Sequence, residues 1–149
     1  MENRLKNIGL GICLSLMLVA FVTKNKREVV FTKLAPSPIG PYSQAIKTNH
    51  MLYVSGQIGL NIEGKLDSAS IEVECKQVME NVKTIIEASG LKMSNIVKST
   101  IYTTDLKKFA QINDVYKTYF PNNPPARETV QVVALPKGAH VEISVIAEK

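Results

Sequence analysis

Two runs of β-branched residues near the end of the chain alternate apolar and polar positions, and Pro136-Lys137-Gly138 joins them. A period of two predicts strands, and the apolar side of each run is then expected to face a core. The apolar positions are Val130, Val132 and Ala134 in the first run and Val141, Ile143, Val145 and Ala147 in the second. If both apolar sides contact the same core, Arg127 and Glu142 lie together on the opposite, polar face.

The chain between residues 29 and 120 divides into segments of strand-like or helix-like periodicity. These segments predict a strand at 29–33, a hairpin of strands 44–48 and 51–55, a helix at 70–89, a strand at 96–104 and a helix at 106–120. The resulting order is β-β-β-α-β-α-β-β. Two helices then cover one face of a single sheet, which is an α+β two-layer domain.

The uncovered face of this predicted sheet is unusually apolar. We place Met51, Tyr53, Ile101 and Ile146 on it, mixed with polar side chains. A monomer of this size does not normally leave so large an apolar patch in water. We therefore expect the open face to pack against other subunits.

Residues 1–28 differ in character from the rest and are assigned to an N-terminal leader, with the folded domain at 29–149. An apolar run of fifteen residues, 8–22, lies between Arg4 and Lys6 on one side and the basic segment 24–27 on the other. A spanning helix needs roughly twenty residues, whereas a signal or targeting peptide has a shorter core. We expect the leader to direct the chain to an organelle, either a mitochondrion or a plastid. A membrane anchor that is retained, or a cytoplasmic location, is the alternative.

The net charge of +5 belongs mostly to this leader. Residues 1–33 carry six basic and two acidic side chains, whereas residues 34–149 carry twelve and eleven. A nearly neutral domain does not favour binding along nucleic-acid phosphates, so we expect no DNA partner, and RNA is not favoured. The two cysteines and two histidines lack the spacing of a metal site, and no metal ligand set is predicted.

Arg127 is the only arginine in residues 34–149, which contain eleven lysines. A single arginine among lysines suggests a need for the planar guanidinium, which pairs with a carboxylate through two parallel hydrogen bonds. That carboxylate can belong to a ligand. The competing interpretation is an internal salt bridge between Arg127 and Glu142 that stabilises the sheet.

Several motifs in this order resemble the RidA family, also called YjgF or L-PSP, the reactive-intermediate imine deaminases. The resemblance covers about residues 30–148 and rests on Gly40-Pro41-Tyr42-Ser43-Gln44-Ala45, Val54-Ser55-Gly56-Gln57-Ile58, Asn81-Val82, Ala88-Ser89-Gly90-Leu91, Pro125-Ala126-Arg127, Leu135-Pro136-Lys137-Gly138 and Val141-Glu142-Ile143. It implies a chorismate-mutase-like fold and a homotrimer whose active sites lie between subunits.

The resemblance also implies roles for individual residues. Arg127 matches the arginine that holds the substrate carboxylate, and Glu142 matches the glutamate associated with the hydrolytic water. The positions expected to line the substrate site are Tyr42, Ser55, Gly56, Asn113 and Thr129. Since Thr129 stands where some bacterial members have cysteine, covalent catalysis by a thiol is not expected here.

The implied reaction is hydrolysis of short 2-imino acids or enamines, such as 2-iminobutanoate and 2-iminopropanoate, to 2-oxo acids and ammonia, without metal or cofactor. Two other functions stay open. One is an endoribonuclease acting on single-stranded RNA, which the near-neutral domain and the absence of a plausible histidine pair disfavour. The other is a non-enzymatic trimer that senses ligands or holds unfolded chains and binds carboxylates through the same Arg127.

Overall fold

The computed structural model describes residues 27–149, so the predicted leader lies outside the described residues except for its last two positions. The strands are β1 Glu28–Val30, β2 Ala45–Lys47, β3 Met51–Ile58, β4 Ile96–Thr103, β5 Ala126–Gln131 and β6 Val141–Glu148. The two α-helices are α1 Ile71–Ala88 and α2 Phe109–Tyr116. The order of elements along the chain is the predicted one.

The six strands form one sheet in the order β1-β2-β3-β6-β4-β5. The β4–β5 pair is parallel and every other neighbouring pair is antiparallel. Helix α1 packs against β3, β6 and α2, so both helices cover the same face. This arrangement confirms the α+β two-layer prediction. Within residues 27–149, no helix is long and apolar enough to cross a bilayer.

Helix α1 forms where its sequence signals predict it. Ser70 caps the first turn, its hydroxyl oxygen accepting a hydrogen bond from the Val73 amide at 3.3 Å, and Gly90 follows the last turn with φ of 84°. The residues buried on the sheet side repeat at helical spacing: Cys75, Val78, Val82, Ile85 and Ile86.

Helix α2 is shorter than the predicted 106–120. The Asp105 carboxylate accepts a hydrogen bond from the Lys107 amide at 2.9 Å, as expected of a cap. Residues 106–108 nevertheless form a 3₁₀ turn, and residues 117–119 form another before Pro121. Short 3₁₀ turns commonly begin and end α-helices, and here they leave two regular turns of α-helix.

The two closing strands are not neighbours, because β4 lies between β5 and β6. Arg127 pairs with the buried Ser99 of β4, and Ser99 pairs with Val145 of β6. Arg127 therefore lies on the helix-covered side of the sheet. Val130, placed in the core by sequence, is 43% exposed on the open side, and that prediction was wrong because alternation does not show which face of an edge strand a helix covers.

The open face also differs in one position from prediction. A bulge between Ile96 and Lys98 shifts the alternation in β4, so Ile101 is fully buried against the helices and Tyr102 lies on the open side. Met51, Tyr53 and Ile146 lie on the open face as predicted, with Tyr53 46% exposed. The packing of this face against other subunits stays a prediction.

Candidate functional site

Four of the predicted site residues line one cleft of about 260 Å³ on the open side of the sheet. They are Tyr42, Ser55, Gly56 and Glu142. The cleft lies between strands β3 and β6 and the proline-rich loop that precedes β2, and its remaining walls are largely apolar: Pro36, Pro38, Ile39, Ile58, Leu60 and Pro136. A mostly apolar cleft with a few polar groups is the usual form of a small-molecule site.

Gly56 and Glu142 fit together at the floor of this cleft. The register between β3 and β6 shifts between Val54 and Gln57, so Gly56 lies in a bulge beside the Glu142 side chain. A Cβ atom on residue 56 would lie 1.9 Å from Glu142 Oε1 and 2.7 Å from its Cδ. The carboxylate thus occupies the space that any other residue at 56 would fill.

Burial raises the pKa of the Glu142 carboxyl group above its ordinary value. No hydrogen bond within residues 27–149 engages this carboxylate, so desolvation is not offset by a partner. A raised pKa makes a carboxylate a better acceptor for the proton of a water molecule. The Glu142 carboxyl group thus faces the cleft, and no hydrogen bond within residues 27–149 holds it.

Two hydroxyl groups, those of Tyr42 and Ser55, line the same cleft as Glu142, and each makes one hydrogen bond to the backbone. Tyr42 Oη accepts a hydrogen bond from the Ile39 amide at 3.2 Å, which leaves its O–H free to donate into the cleft. Ser55 Oγ donates to the Ser43 carbonyl oxygen at 2.7 Å, which leaves its lone pairs free to accept. The cleft thus presents one donor and one acceptor beside a carboxylate.

Arg127, Asn113 and Thr129 form a second group on the helix-covered side, at the β5 edge. The Arg127 guanidinium lies over two rings of α2, with its carbon 4.8 Å from the Tyr116 ring centroid and 5.7 Å from that of Phe109. This stacking orients the planar guanidinium without using its N–H donors. Across residues 27–149, no carboxylate comes within salt-bridge distance of Arg127. Its N–H groups are therefore available to an anion.

Two polar atoms of this second group are buried without a partner. They are Asn113 Oδ1 and Thr129 Oγ1, the unpaired buried side-chain atoms among the described residues. Leaving such an atom unpaired costs about 1–3 kcal/mol, so proteins rarely retain it without use. Both atoms belong to residues singled out from the sequence as substrate-binding, and both lie on the elements that position Arg127.

The two groups lie on opposite faces of the sheet, which overturns the prediction that Arg127 and Glu142 share a polar face. On the open side, Glu142 of β6 pairs with Tyr102 of β4, which pairs with Val130 of β5. On the helix side, Arg127 of β5 pairs with Ser99 of β4, which pairs with Val145 of β6. An internal Arg127–Glu142 salt bridge is therefore ruled out as well. A single chain thus presents two separate groups of candidate site residues, which are called half-sites below.

Sequence reading missed several buried polar side chains. Gln44 and Gln57 line the cleft and are 2% and 7% exposed, and Glu74 and Asn81 are 0% and 3% exposed. Asn81 Nδ2 donates to the Ile58 and Leu60 carbonyls at 3.1 and 2.8 Å. Glu74 accepts from the His140 amide at 2.6 Å and pairs with His140 Nδ1 at 2.9 Å. Glu74 thus holds His140 at its backbone amide and at its ring, while the His140 side chain stays 58% exposed. Within the described residues, no cluster of three potential metal-ligating side chains occurs.

Comparisons with known proteins agree with this architecture. A family model described as Endoribonuclease L-PSP matches residues 32–149. Over 123 residues the chain is 49% identical to an Arabidopsis thaliana protein named Reactive Intermediate Deaminase A, chloroplastic, covering 82% of this chain and 66% of that protein. It is 43% identical over 122 residues to the Mus musculus 2-iminobutanoate/2-iminopropanoate deaminase, with coverage of 81% and 90%. The crystal structure of E. coli TdcF with bound serine matches with a TM-score of 0.79 and 39% identity, covering 82% and 98%.

Proposed function

The chain belongs to the RidA family, also known as YjgF or L-PSP, and from this membership we propose that it hydrolyses short 2-imino acids and their enamine tautomers. The products are 2-oxo acids and ammonia, with 2-iminobutanoate and 2-iminopropanoate as the expected substrates. Two relatives with 49% and 43% identity are named as deaminases of this kind. The observation that carries the proposal is the unpaired Arg127 fork, stacked on Tyr116 and free to hold a carboxylate.

The proposed mechanism gives each half-site one task. Arg127 binds the substrate carboxylate through two parallel charge-assisted hydrogen bonds and so fixes the imine carbon in place. Glu142 accepts a proton from water as the oxygen adds to that carbon, forming a carbinolamine. That proton passes to the imine nitrogen, which completes the carbinolamine. Glu142 then takes the proton of the new hydroxyl group and delivers it to the same nitrogen as the C–N bond breaks, so ammonia leaves and the 2-oxo acid forms. Such proton transfer contributes a factor of about 10²–10⁴.

We further propose that the complete site forms between subunits of a homotrimer. In one chain Arg127 and Glu142 lie on opposite faces, so a substrate that contacts both must lie where two copies meet. Among residues 27–149, Asn113 Oδ1 and Thr129 Oγ1 beside Arg127 are also buried without a partner, which fits a contact with substrate or with a neighbouring subunit. The apolar open face, with Tyr53 46% and Val130 43% exposed, supplies a surface to bury in that assembly.

The activity is tested by following 2-oxobutanoate and ammonia release from 2-iminobutanoate generated in situ by a threonine dehydratase. The comparison is the rate of spontaneous hydrolysis in the absence of the chain. A clear acceleration supports the proposal, and no acceleration contradicts it. Cleavage of a single-stranded RNA without imine hydrolysis would favour the endoribonuclease, and carboxylate binding without either reaction would favour the ligand-sensing role.

The intersubunit site is tested by mixing two inactive variants, Arg127→Ala and Glu142→Ala, after dissociation and reassembly. One interface in about four then combines the intact Arg127 of one chain with the intact Glu142 of the other, if subunits mix at random. Recovery of about a quarter of the wild-type activity is the expected result. No recovery from a mixed trimer would place the working site within one chain. Each variant reassembled alone is the control.

We also propose that residues 1–28 direct the chain to an organelle and are removed there. The Arabidopsis relative carries the word chloroplastic in its name, and the run 8–22 has the length of a targeting core. Fractionation combined with mass spectrometry of the native N-terminus tests this. An intact N-terminus on a protein that resists extraction from membranes would show a retained anchor instead.

A further inference from the structure

The loop from Thr32 to Ser43 forms one wall of the Glu142 cleft and is poor in its own hydrogen-bond donors. Pro36, Pro38 and Pro41 have no backbone N–H, so the loop has fewer backbone donors than a loop of the same length without proline. It nevertheless brings Ile39 and Tyr42 to the cleft in an ordered arrangement. Bonds within the loop, such as that from the Tyr42 amide to the Gly40 carbonyl at 2.9 Å, leave the carbonyl groups of Ala35 and Pro36 for a donor outside the loop.

The side chain of Gln44, 2% exposed, supplies this donor. Its Oε1 accepts a hydrogen bond from the Thr32 amide at 2.7 Å. Its Nε2 lies 3.0 Å from the Thr32 carbonyl oxygen, 3.4 Å from that of Ala35 and 2.9 Å from that of Pro36, and donates to this group of acceptors. One side-chain amide thus takes the place of a neighbouring strand at the stem of the loop.

The exit of the loop is held by different bonds. The Ser55 amide donates to the Gln44 carbonyl oxygen at 3.0 Å, and Ser55 Oγ donates to the Ser43 carbonyl at 2.7 Å. Neither bond uses the Gln44 side chain. Removing that side-chain amide would therefore release the entry half of the loop, residues 32–36, while the strand that carries Gly56 beside Glu142 stays in place.

We propose that Gln44 is a positioning residue that holds the 32–36 stem of the loop, and with it the lining residues from Pro36 onward, in the ligand-binding form of the cleft. The proposal rests on the function proposed above, because the cleft is taken to bind the substrate. Gln44 touches no reacting atom in this mechanism. Its contribution is to affinity, since a wall that must be ordered during binding lowers affinity for substrate without changing the chemical step.

The test uses Gln44→Met in the full chain, because methionine keeps the length and volume of the side chain and removes both hydrogen-bonding groups. We expect KM for 2-iminobutanoate to rise about tenfold while kcat changes by less than about twofold. The dissociation constant for 2-oxobutanoate, measured by calorimetry, should rise by the same factor. Amide hydrogen exchange of residues 32–36 should become faster than in the wild type, with residues 51–58 unchanged.

Asn95→Leu is the matched control. Asn95 also bonds backbone groups with its side-chain amide, accepting from Lys92 and donating to the Glu148 carbonyl at 2.9 Å. It lies at the other end of β6 from Glu142, so its variant is expected to lower stability and leave KM unchanged. If the role of Gln44 were purely structural, Gln44→Met would likewise lower stability and leave KM unchanged.

The proposal is wrong if the folded Gln44→Met protein keeps the wild-type KM, or if kcat falls while KM is unchanged. The wild-type protein provides a check that needs no variant, because Gln44 Oε1 is the one acceptor for the Thr32 amide within residues 27–149. Rapid exchange at Thr32 in the wild type would overturn the proposal even if the variant did not fold. If the wild type lacked deaminase activity, the proposed function would fail, and exchange and 2-oxobutanoate affinity would still decide the role of Gln44.

Discussion

Substituting Gly56 by alanine tests the arrangement at the floor of the cleft most directly. The added methyl group would lie 1.9 Å from Glu142 Oε1, 2.7 Å from Cδ and 3.0 Å from Cγ. Gly56 does not have a positive φ, so the backbone accepts alanine without strain. The perturbation is therefore steric and acts on the Glu142 side chain, which is the flexible partner in the contact.

The size of the effect follows from these distances. The carboxylate must move away by more than about 1 Å to reach a tolerable separation from the new methyl group. A displacement of about 1 Å in a catalytic group costs on the order of 100-fold in rate, or roughly 2.7 kcal/mol of transition-state stabilisation. Because only the end of a side chain moves, the free energy of unfolding should fall by less than about 1 kcal/mol.

Steady-state kinetics on 2-iminobutanoate and denaturant unfolding of Gly56→Ala measure the two quantities side by side. We expect kcat to fall about 100-fold with a nearly unchanged unfolding midpoint. In a Glu142→Ala background the obstacle is gone, so adding Gly56→Ala should change neither stability nor residual activity. If Gly56→Ala alone keeps kcat within about threefold of the wild type, the position of the carboxylate over Gly56 does not matter for catalysis.

Further outcomes are expected for substitutions at three positions of the two half-sites. Arg127→Lys keeps the charge but loses the planar guanidinium, so we expect its kcat/KM to fall as far as that of Arg127→Ala. Near-normal activity would show that a bidentate contact is not needed. Light scattering checks that both variants assemble. Glu142→Gln should bind 2-oxobutanoate and turn over at least about 100-fold more slowly. Burial raises the pKa of Glu142 in the folded protein, so the free energy of unfolding falls as the pH rises from 4.5 through that raised pKa. Glu142→Gln removes this loss. Thermal melts should therefore show that Glu142→Gln stabilises the protein at neutral pH but not at acid pH. Thr129→Ala should retain more than about a tenth of the wild-type kcat/KM, and a loss beyond about 100-fold would show that its hydroxyl takes part in catalysis.

Local sequence determined most elements of the fold, because their signals lie within a few residues of each other. Helix α1 forms at its predicted place since Ser70, the acidic first turn and the apolar spacing all favour it. Strand β6 buries alternate residues from Val141 to Ala147 as its pattern predicts. The motifs likewise indicated the cleft, because Tyr42, Ser55, Gly56 and Glu142 do come together.

The tertiary structure alone decided how the two chemically important side chains are placed. Alternation along β5 shows that Arg127 and Val130 face opposite ways, but not which of them a helix covers. That choice depends on β4 entering between β5 and β6 and on α2 packing over the edge strand, and neither contact can be read from the alternation within β5. Stacking on Tyr116 makes the helix side suitable for a guanidinium, so Arg127 occupies it and Val130 stays open. The sequence could therefore name Arg127 and Glu142 as a pair, while only the assembled sheet showed that they lie on opposite faces.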